Sequence, residues 1–249
     1  MIWLVIAEAA LELVPEALRE HASVLADVKR KGTRAGKLLL DTNYHHSAMA
    51  SLAGAEKRGR PDIVHFCLLA AMNTPLNLLF KKLRVCVHVI YPKERIIIID
   101  PATRIPRSLN RFEGIMGELL SDKKQPAATD GPQLFTIQET TLANFLSRFD
   151  ASRIHAFSTK GKLRSFDDVL SSIGSGCIDA NVDFALVIGG FQGGHFDGAW
   201  QSIVPPGNLH SIAPIPLDAW TVVARIVYMV EEAISEAARN PSCALVRDC

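Results

Sequence analysis

The residues best suited to chemistry lie in a short basic run, Asp100-Pro-Ala-Thr-Arg-Ile-Pro-Arg-Ser-Leu-Asn-Arg111, which carries Arg104, Arg107 and Arg111. Three guanidiniums this close, beside the free N–H groups of a helix start, suit a row of phosphates. If the helix opens at Pro106, Arg107 and Arg111 fall four apart on one face. Like charges there repel by about 0.2–0.5 kcal/mol, and cations at a helix N-terminus oppose its dipole. A local rule broken without visible compensation points to binding. Lys57-Arg-Gly-Arg-Pro-Asp62 repeats the theme at a second helix start. Arg60 precedes Pro61 there, and Asp62 falls in the first turn. The plain alternative is that Asp62 complements the helix dipole while Arg60 is solvated.

A second constellation is built from glycine. Phe184-Ala-Leu-Val-Ile-Gly-Gly-Phe-Gln-Gly-Gly-His-Phe196 runs from a strand into a glycine-rich turn, where backbone amides can approach a ligand closely. A dinucleotide fingerprint needs G-x-G-x-x-G opening a helix, and the residues that follow here do not read as one. The loop Ser211-Ile-Ala-Pro-Ile-Pro-Leu217 lacks polar side chains after its first residue. It suits an apolar cradle whose backbone reads an adenine or a thioether; the alternative is a pair of connecting loops. The histidines suggest no metal. His45 and His46 are adjacent, and Cys86 and His88 share a strand face, but neither pair has the spacing of a zinc site, so packing or capping is expected. No G-x-S-x-G elbow is present.

The elements that must position these residues alternate between apolar strands and amphipathic helices. Strands are expected at 2–7, 37–41, 83–91, 95–100, 134–137, 153–158 and 184–188. Helices are expected at 15–29, 44–56, 61–72, 106–121, 141–149, 165–173 and 217–238. This order predicts an α/β fold with a mainly parallel sheet, and one domain over 1–249 with an exposed loop at 122–132.

Composition limits the function classes. The 249 residues are 48% hydrophobic and 21% charged, enough for a sizeable core. A net charge of +1 excludes nucleic-acid binding by gross charge and leaves it to a local patch. Five cysteines without a C-x-x-C pair read as reduced thiols of a cytoplasmic protein. Residues 1–14 are apolar, but Glu8 and Glu12 interrupt them, so no export signal is expected. No run approaches the roughly 18–20 apolar residues of a membrane span.

Gly59-Arg-Pro-Asp-Ile-Val-His65, the turn Thr74-Pro-Leu-Asn77, Arg104-Ile-Pro-Arg107 and Arg111-Phe112 together resemble the pseudouridine N1-specific methyltransferases of small-subunit ribosome biogenesis, a family of the SPOUT class. Lys37 to Asp41 with Tyr44-His45-His46 fits the archaeal branch. The similarity is strongest over about residues 37–120. It implies a parallel sheet with helices on both faces, a C-terminal trefoil knot and a homodimer. It also implies S-adenosylmethionine as methyl donor and transfer to N1 of a pseudouridine in an rRNA hairpin loop, with ribosomal assembly proteins as further partners. By the resemblance, Arg60, Arg104, Arg107 and Arg111 would contact RNA, and Asp62 would hold an arginine in place. The donor would lie against Phe157, Gly189, Gly194 and the loop Ile212, Ala213, Pro214, Ile215, Pro216 and Leu217. That loop is less polar than the family's, and Leu78-Leu79-Phe80 stands where Lys-Ala-Gly is common.

Methyl transfer to a ring nitrogen is a displacement that needs alignment more than covalent help, and the base must first be unstacked. Asp62 is a candidate acceptor for the N1 proton, but clamping an arginine would make it a poor base. Two other readings remain: a non-catalytic rRNA-binding assembly factor, which needs the arginines but not the pocket, and a related methyltransferase acting on tRNA.

Overall fold

The protein is described here from a computed structural model that covers residues 1–121, 133–173 and 182–239. The loop expected at 122–132, Cys177, Cys243 and Cys249 lie outside the described residues.

Strand β1 (Ile2–Ala7) is apolar without alternation, the pattern of a strand covered on both faces. It forms the middle of a seven-stranded sheet with β2 (Leu83–Val89), β3 (Arg95–Ile99), β4 (Phe135–Gln138), β5 (Ile154–Leu163), β6 (Phe184–Gly189) and β7 (Leu209–Ser211), in the order β4-β3-β2-β1-β6-β5-β7. β1 pairs in parallel with β2 and β6, β5 with β6 and β7; only the β2–β3 and β3–β4 pairs are antiparallel. The mainly parallel sheet is therefore as expected, with an antiparallel edge.

Helices α1 (Ala22–Lys31), α2 (Thr42–Met49), α3 (Pro61–Met72), α4 (Pro75–Leu78), α5 (Leu109–Ser121), α6 (Leu142–Leu146), α7 (Phe166–Ile173) and α8 (Ala219–Arg239) surround it. Alternate residues of β1 feed opposite sides. Ile2, Leu4 and Ile6 join a core with α3, α5, α7 and α8, while Val5 and Ala7 join one with α6 and Trp200. On α8, Val223, Ile226, Val227 and Val230 are buried and Val222 partly so, which makes that face core rather than a docking surface.

Several sequence expectations are corrected. No strand forms at 37–41. Val14 N donates to Leu38 O and Leu40 N to Glu12 O, so these leucines pair with the 12–14 segment instead of the sheet and are buried between two separate apolar clusters. The helix expected from 15 starts at Ala22, where the His21 ring accepts from Ser23 N. The one expected over 44–56 ends at Met49. The helix expected from Pro106 starts at Leu109, because Pro106 O is held by His65 and Ser108 O is the first to accept a helical N–H, from Phe112. β5 runs five residues beyond its expected end, and β7 was not expected.

Two glycines of α5 give a direct test of packing. A Cβ on Gly117 would collide with the Lys37 carbonyl oxygen, whereas one on Gly114 meets nothing within 4 Å. Gly117→Ala should lower stability by about 1–3 kcal/mol despite its better helix propensity. Gly114→Ala should raise it by about 0.5–1 kcal/mol, both read from denaturant unfolding.

Candidate active site at the carboxyl ends of the strands

Open parallel sheets bind ligands outside the carboxyl ends of their strands, where neighbouring connections diverge. Here that place is the end of β1, between β2 and β6. Glu8, the first residue after β1, sits there at φ +51 and is 3% exposed. Its Oε1 accepts from Gly198 N at 2.9 Å, Trp200 Nε1 at 3.0 Å and Asp197 N at 3.1 Å. Its Oε2 accepts from Lys57 Nζ at 3.2 Å. The Glu8 N–H donates to His88 Nδ1, and His88 Nε2 donates to Glu94. A buried carboxylate is tolerated when its lone pairs are filled in this way. The donors at Asp197, Gly198 and Trp200 directly follow the glycine-rich turn, so Glu8 anchors its far end.

Lys57 also donates to His195 O and Asp197, and its ammonium lies 4.5 Å from the centre of the Phe191 ring. The next residue, Arg58, makes a bidentate buried pair with Glu12, at 2.7 and 2.6 Å. Arg60 N donates to Ala10 O, while Ala10 N donates to Gly190 O. One short segment, residues 8–12, therefore joins the basic arm 57–62 to the glycine turn.

Below that turn is a cavity of about 180 Å³. Phe157, Gly189, Gly194, Ile212, Ala213, Ile215, Pro216 and Leu217 all line it; Pro214 is exposed and does not. Ser158, Thr159, Gln192, His195, His210 and Ser211 form the polar part of the wall, and no Asp, Glu, Lys or Arg lines it. Gly194 is at φ +89, which favours glycine. A Cβ on Gly189 would stand 2.8 Å from the Phe191 ring. His210 Nε2 and His155 Nδ1 are 3.0 Å apart, both rings buried. Burial pushes both histidines down to about 4; the neighbouring His210 adds to the effect on His155, and Arg164 to that on His210.

The basic residues take two forms. Arg60 is locked to Asp62 by two hydrogen bonds, Nε–Oδ1 at 2.8 Å and Nη2–Oδ2 at 2.7 Å. That bond raises the Arg60 pKa against the opposing effect of burial, with Asp41 and Asp218 adding to it. Both Asp62 oxygens are thus occupied by an arginine, which fits a clamp better than a proton acceptor. Arg104, Arg107 and Arg111 are exposed and have no carboxylate partner among the described residues. Arg104 and Arg107 precede α5, so the shared helical face expected of Arg107 and Arg111 does not exist. Their loop is instead held by its backbone: His65 Nε2 donates to Pro106 O at 2.6 Å, and Asn77 Nδ2 to Pro101 O at 3.0 Å and Met72 O at 2.8 Å. His45 is placed by its neighbours and the two described cysteines are packed in the core. His45 Nδ1 accepts from Asp41 N, its Nε2 lies 3.3 Å from Asp27, and Cys67 and Cys86 are buried thiols.

The model of the EMG1/NEP1 methyltransferase family matches residues 4–231. The chain belongs to this family. It is 36% identical to the "Ribosomal RNA small subunit methyltransferase Nep1" of Thermococcus kodakarensis, over 94% of this chain and 99% of the relative. To the protein of the same name from Pyrobaculum calidifontis it is 37% identical, over 93% and 98%. The crystal structure of Archaeoglobus fulgidus Nep1 bound to S-adenosylhomocysteine superposes with a TM-score of 0.76 at 32% identity, covering 94% of this chain and 98% of that one. In this member of the EMG1/NEP1 family, sequence reasoning missed Glu8, Lys57 and His210. Glu8 carried a signal, a carboxylate directly after an apolar strand, and Lys57 opens the second basic run; His210 carried none.

Asp62→Asn breaks the Arg60 clamp, and should weaken RNA binding more than the single-turnover methyl transfer at saturating RNA. A slower bound-state rate with binding intact would sink the clamp role. The histidine pair gives a pH prediction. Held neutral in the fold at about 4 against about 6.5 unfolded, it stabilises the fold above that unfolded value and the stability is lost as pH falls towards 4. The slope is up to about 1.4 kcal/mol per unit for each histidine, read from denaturant unfolding between pH 7.5 and 4.5. His210→Asn should flatten it.

Proposed function

We propose that this chain transfers the methyl group of S-adenosylmethionine to N1 of a pseudouridine in a hairpin loop of small-subunit rRNA. The observation that carries the reading is the joint between the arginine arm and the glycine-walled cavity, in a member of a methyltransferase family. The relatives are named for small-subunit rRNA, and the Archaeoglobus structure holds S-adenosylhomocysteine, the demethylated form of the same donor.

The cavity fits such a donor on this chain's own features. Its wall of Phe157, Ile188, Ile212 and Leu217 suits an adenine and a thioether, and the glycines of the turn leave backbone groups within reach. Ser158, Thr159, Gln192, His195 and Ser211 are polar side chains of the wall within reach of the methionine end. When bound, the donor supplies a methyl group on a sulfonium, which leaves as a neutral thioether. The protein's share is alignment. Arg104, Arg107 and Arg111 take phosphates and set the register, and the clamped Arg60 presents a fixed guanidinium. Loop binding lowers the unstacking cost, which is a few kcal/mol, because those bases are already unpaired. N1 gains a carbon and gives up its proton.

The same reading includes a homodimer, a C-terminal trefoil knot and a cytoplasmic location. Exposed aromatic side chains support the dimer: Phe66 is 43% exposed with Trp220 edge-on to it at 5.2 Å, and Tyr228 on α8 is 59% exposed. The order β6-β5-β7, followed by the return of α8 across β6, supports the knot.

The test is calorimetric S-adenosylmethionine binding together with methyl transfer to a pseudouridine-containing rRNA hairpin and its uridine counterpart. Donor binding, with transfer only to the pseudouridine hairpin, is the expected result. RNA binding that falls steeply with salt, without any donor binding, would favour the assembly-factor reading instead. Transfer to a tRNA alone would move the substrate.

A further inference from the structure

Tyr44 stands on the first turn of α2 and is 45% exposed. A guanidinium covers part of it: Arg30 Cζ lies 3.9 Å from the ring centre, with Lys31 Nζ at 5.6 Å. Arg30 is not free to swing away, because buried Asp27 holds its Nε at 2.8 Å and its Nη2 at 2.5 Å. A tyrosine with a fixed arginine against it is a flat, cationic and partly open surface. Unpaired bases settle on such surfaces with little regard to sequence, since every base has a π-face.

Its position also points to RNA. Thr42 N donates to Gly59 O at 2.8 Å, which bolts the first turn of α2 to the residue before Arg60. On the other side, Lys31 Nζ reaches Glu113 at 2.6 Å, tying the end of α1 to the turn of α5 that carries Arg111. The helix that carries the ring is therefore tied to one arginine arm, and the helix that carries Arg30 to the other. Lys29 and Arg34, exposed on the same stretch, have no carboxylate partner among the described residues.

We propose that Tyr44 and Arg30 form a stacking site for one unpaired nucleotide of the target RNA, distinct from the nucleotide that is methylated, with Lys29 and Arg34 on the phosphates beside it. The proposal rests on the RNA-binding reading of Arg60, Arg104, Arg107 and Arg111. It recognises the face of a base rather than its identity, so it tolerates a changed base and not a missing one.

The experiment uses the pseudouridine hairpin with single-stranded flanks, made as a set in which each unpaired nucleotide in turn is abasic, and fluorescence anisotropy as readout. With the wild type, one abasic position other than the target weakens binding about tenfold, the size expected for one stacked base. Tyr44→Ala loses the same factor on intact RNA and nothing further at that position. Tyr44→Leu, which keeps the bulk without the ring, behaves alike, and Tyr44→Phe binds as the wild type. Lys29→Ala with Arg34→Ala lowers the slope of log affinity against log salt by about 1.4. Losses that add at every abasic position overturn the stacking site. So does wild-type affinity in Tyr44→Ala beside a weakened Arg107→Ala, and this leaves the arginine surface standing. Wild-type affinity in both variants overturns the surface and the stacking site together.

Discussion

The buried carboxylate of Glu8 is the interaction on which the rest of the site depends. It is a charge taken out of water at the end of the central strand, in a left-handed backbone conformation that costs roughly 1–2 kcal/mol for a side-chain-bearing residue. Such a group is stable only while its donors stay in place, because losing them leaves an unsatisfied buried charge. Those donors are the backbone just after the glycine turn, the Trp200 indole and Lys57. Satisfying one side chain thus shapes the cavity and anchors the basic arm in a single act. The peptide of Ala10, between Gly190 and Arg60, makes the same connection through the main chain.

The arginines divide by what each must do. Arg58 and Arg60 are paired and oriented, one buried against Glu12 and one clamped by Asp62. Arg104, Arg107 and Arg111 have no carboxylate partner among the described residues and keep their attraction for phosphate. A chain of net charge +1 thereby concentrates an attractive field on one surface. The rigidity of that surface comes from neutral groups. His65 and Asn77 grip carbonyls of the loop that carries Arg104 and Arg107, so guanidiniums are positioned without having their charge cancelled.

Much of this was legible in the sequence, for local reasons. β1, β3 and β6 announced themselves by apolar runs, β2 by its β-branched residues before the Pro92 turn, and α3 by Pro61 at its first position. The loop Ile212 to Leu217 was recognisable as an apolar wall because it lacks polar side chains. What failed was decided by partners far along the chain. Leucines 38 to 40 look like a strand, but their backbone partners are residues 12 and 14. Pro106 looks like a helix start until His65 takes its carbonyl. β7 is three residues long and exists because Gly161 lets β5 approach the His210 backbone, where a Cβ would clash. Glu8 and Lys57 are 49 residues apart, and nothing local in the sequence pairs them.

The strand order also bears on how the molecule comes into being. β1 is the first strand of the chain and sits at the centre of the sheet, and one of its two neighbours, β6, is among the last to be made. At translation rates of about 5–20 residues per second, on the order of ten seconds or more pass before residues 184–189 leave the ribosome. For that interval one edge of a wholly apolar strand has no native partner, and the Glu8 carboxylate lacks the backbone donors that will bury it. The fold is then completed by late closure around an early strand, so a nascent chain of this architecture must be kept from pairing with others until its carboxyl half arrives.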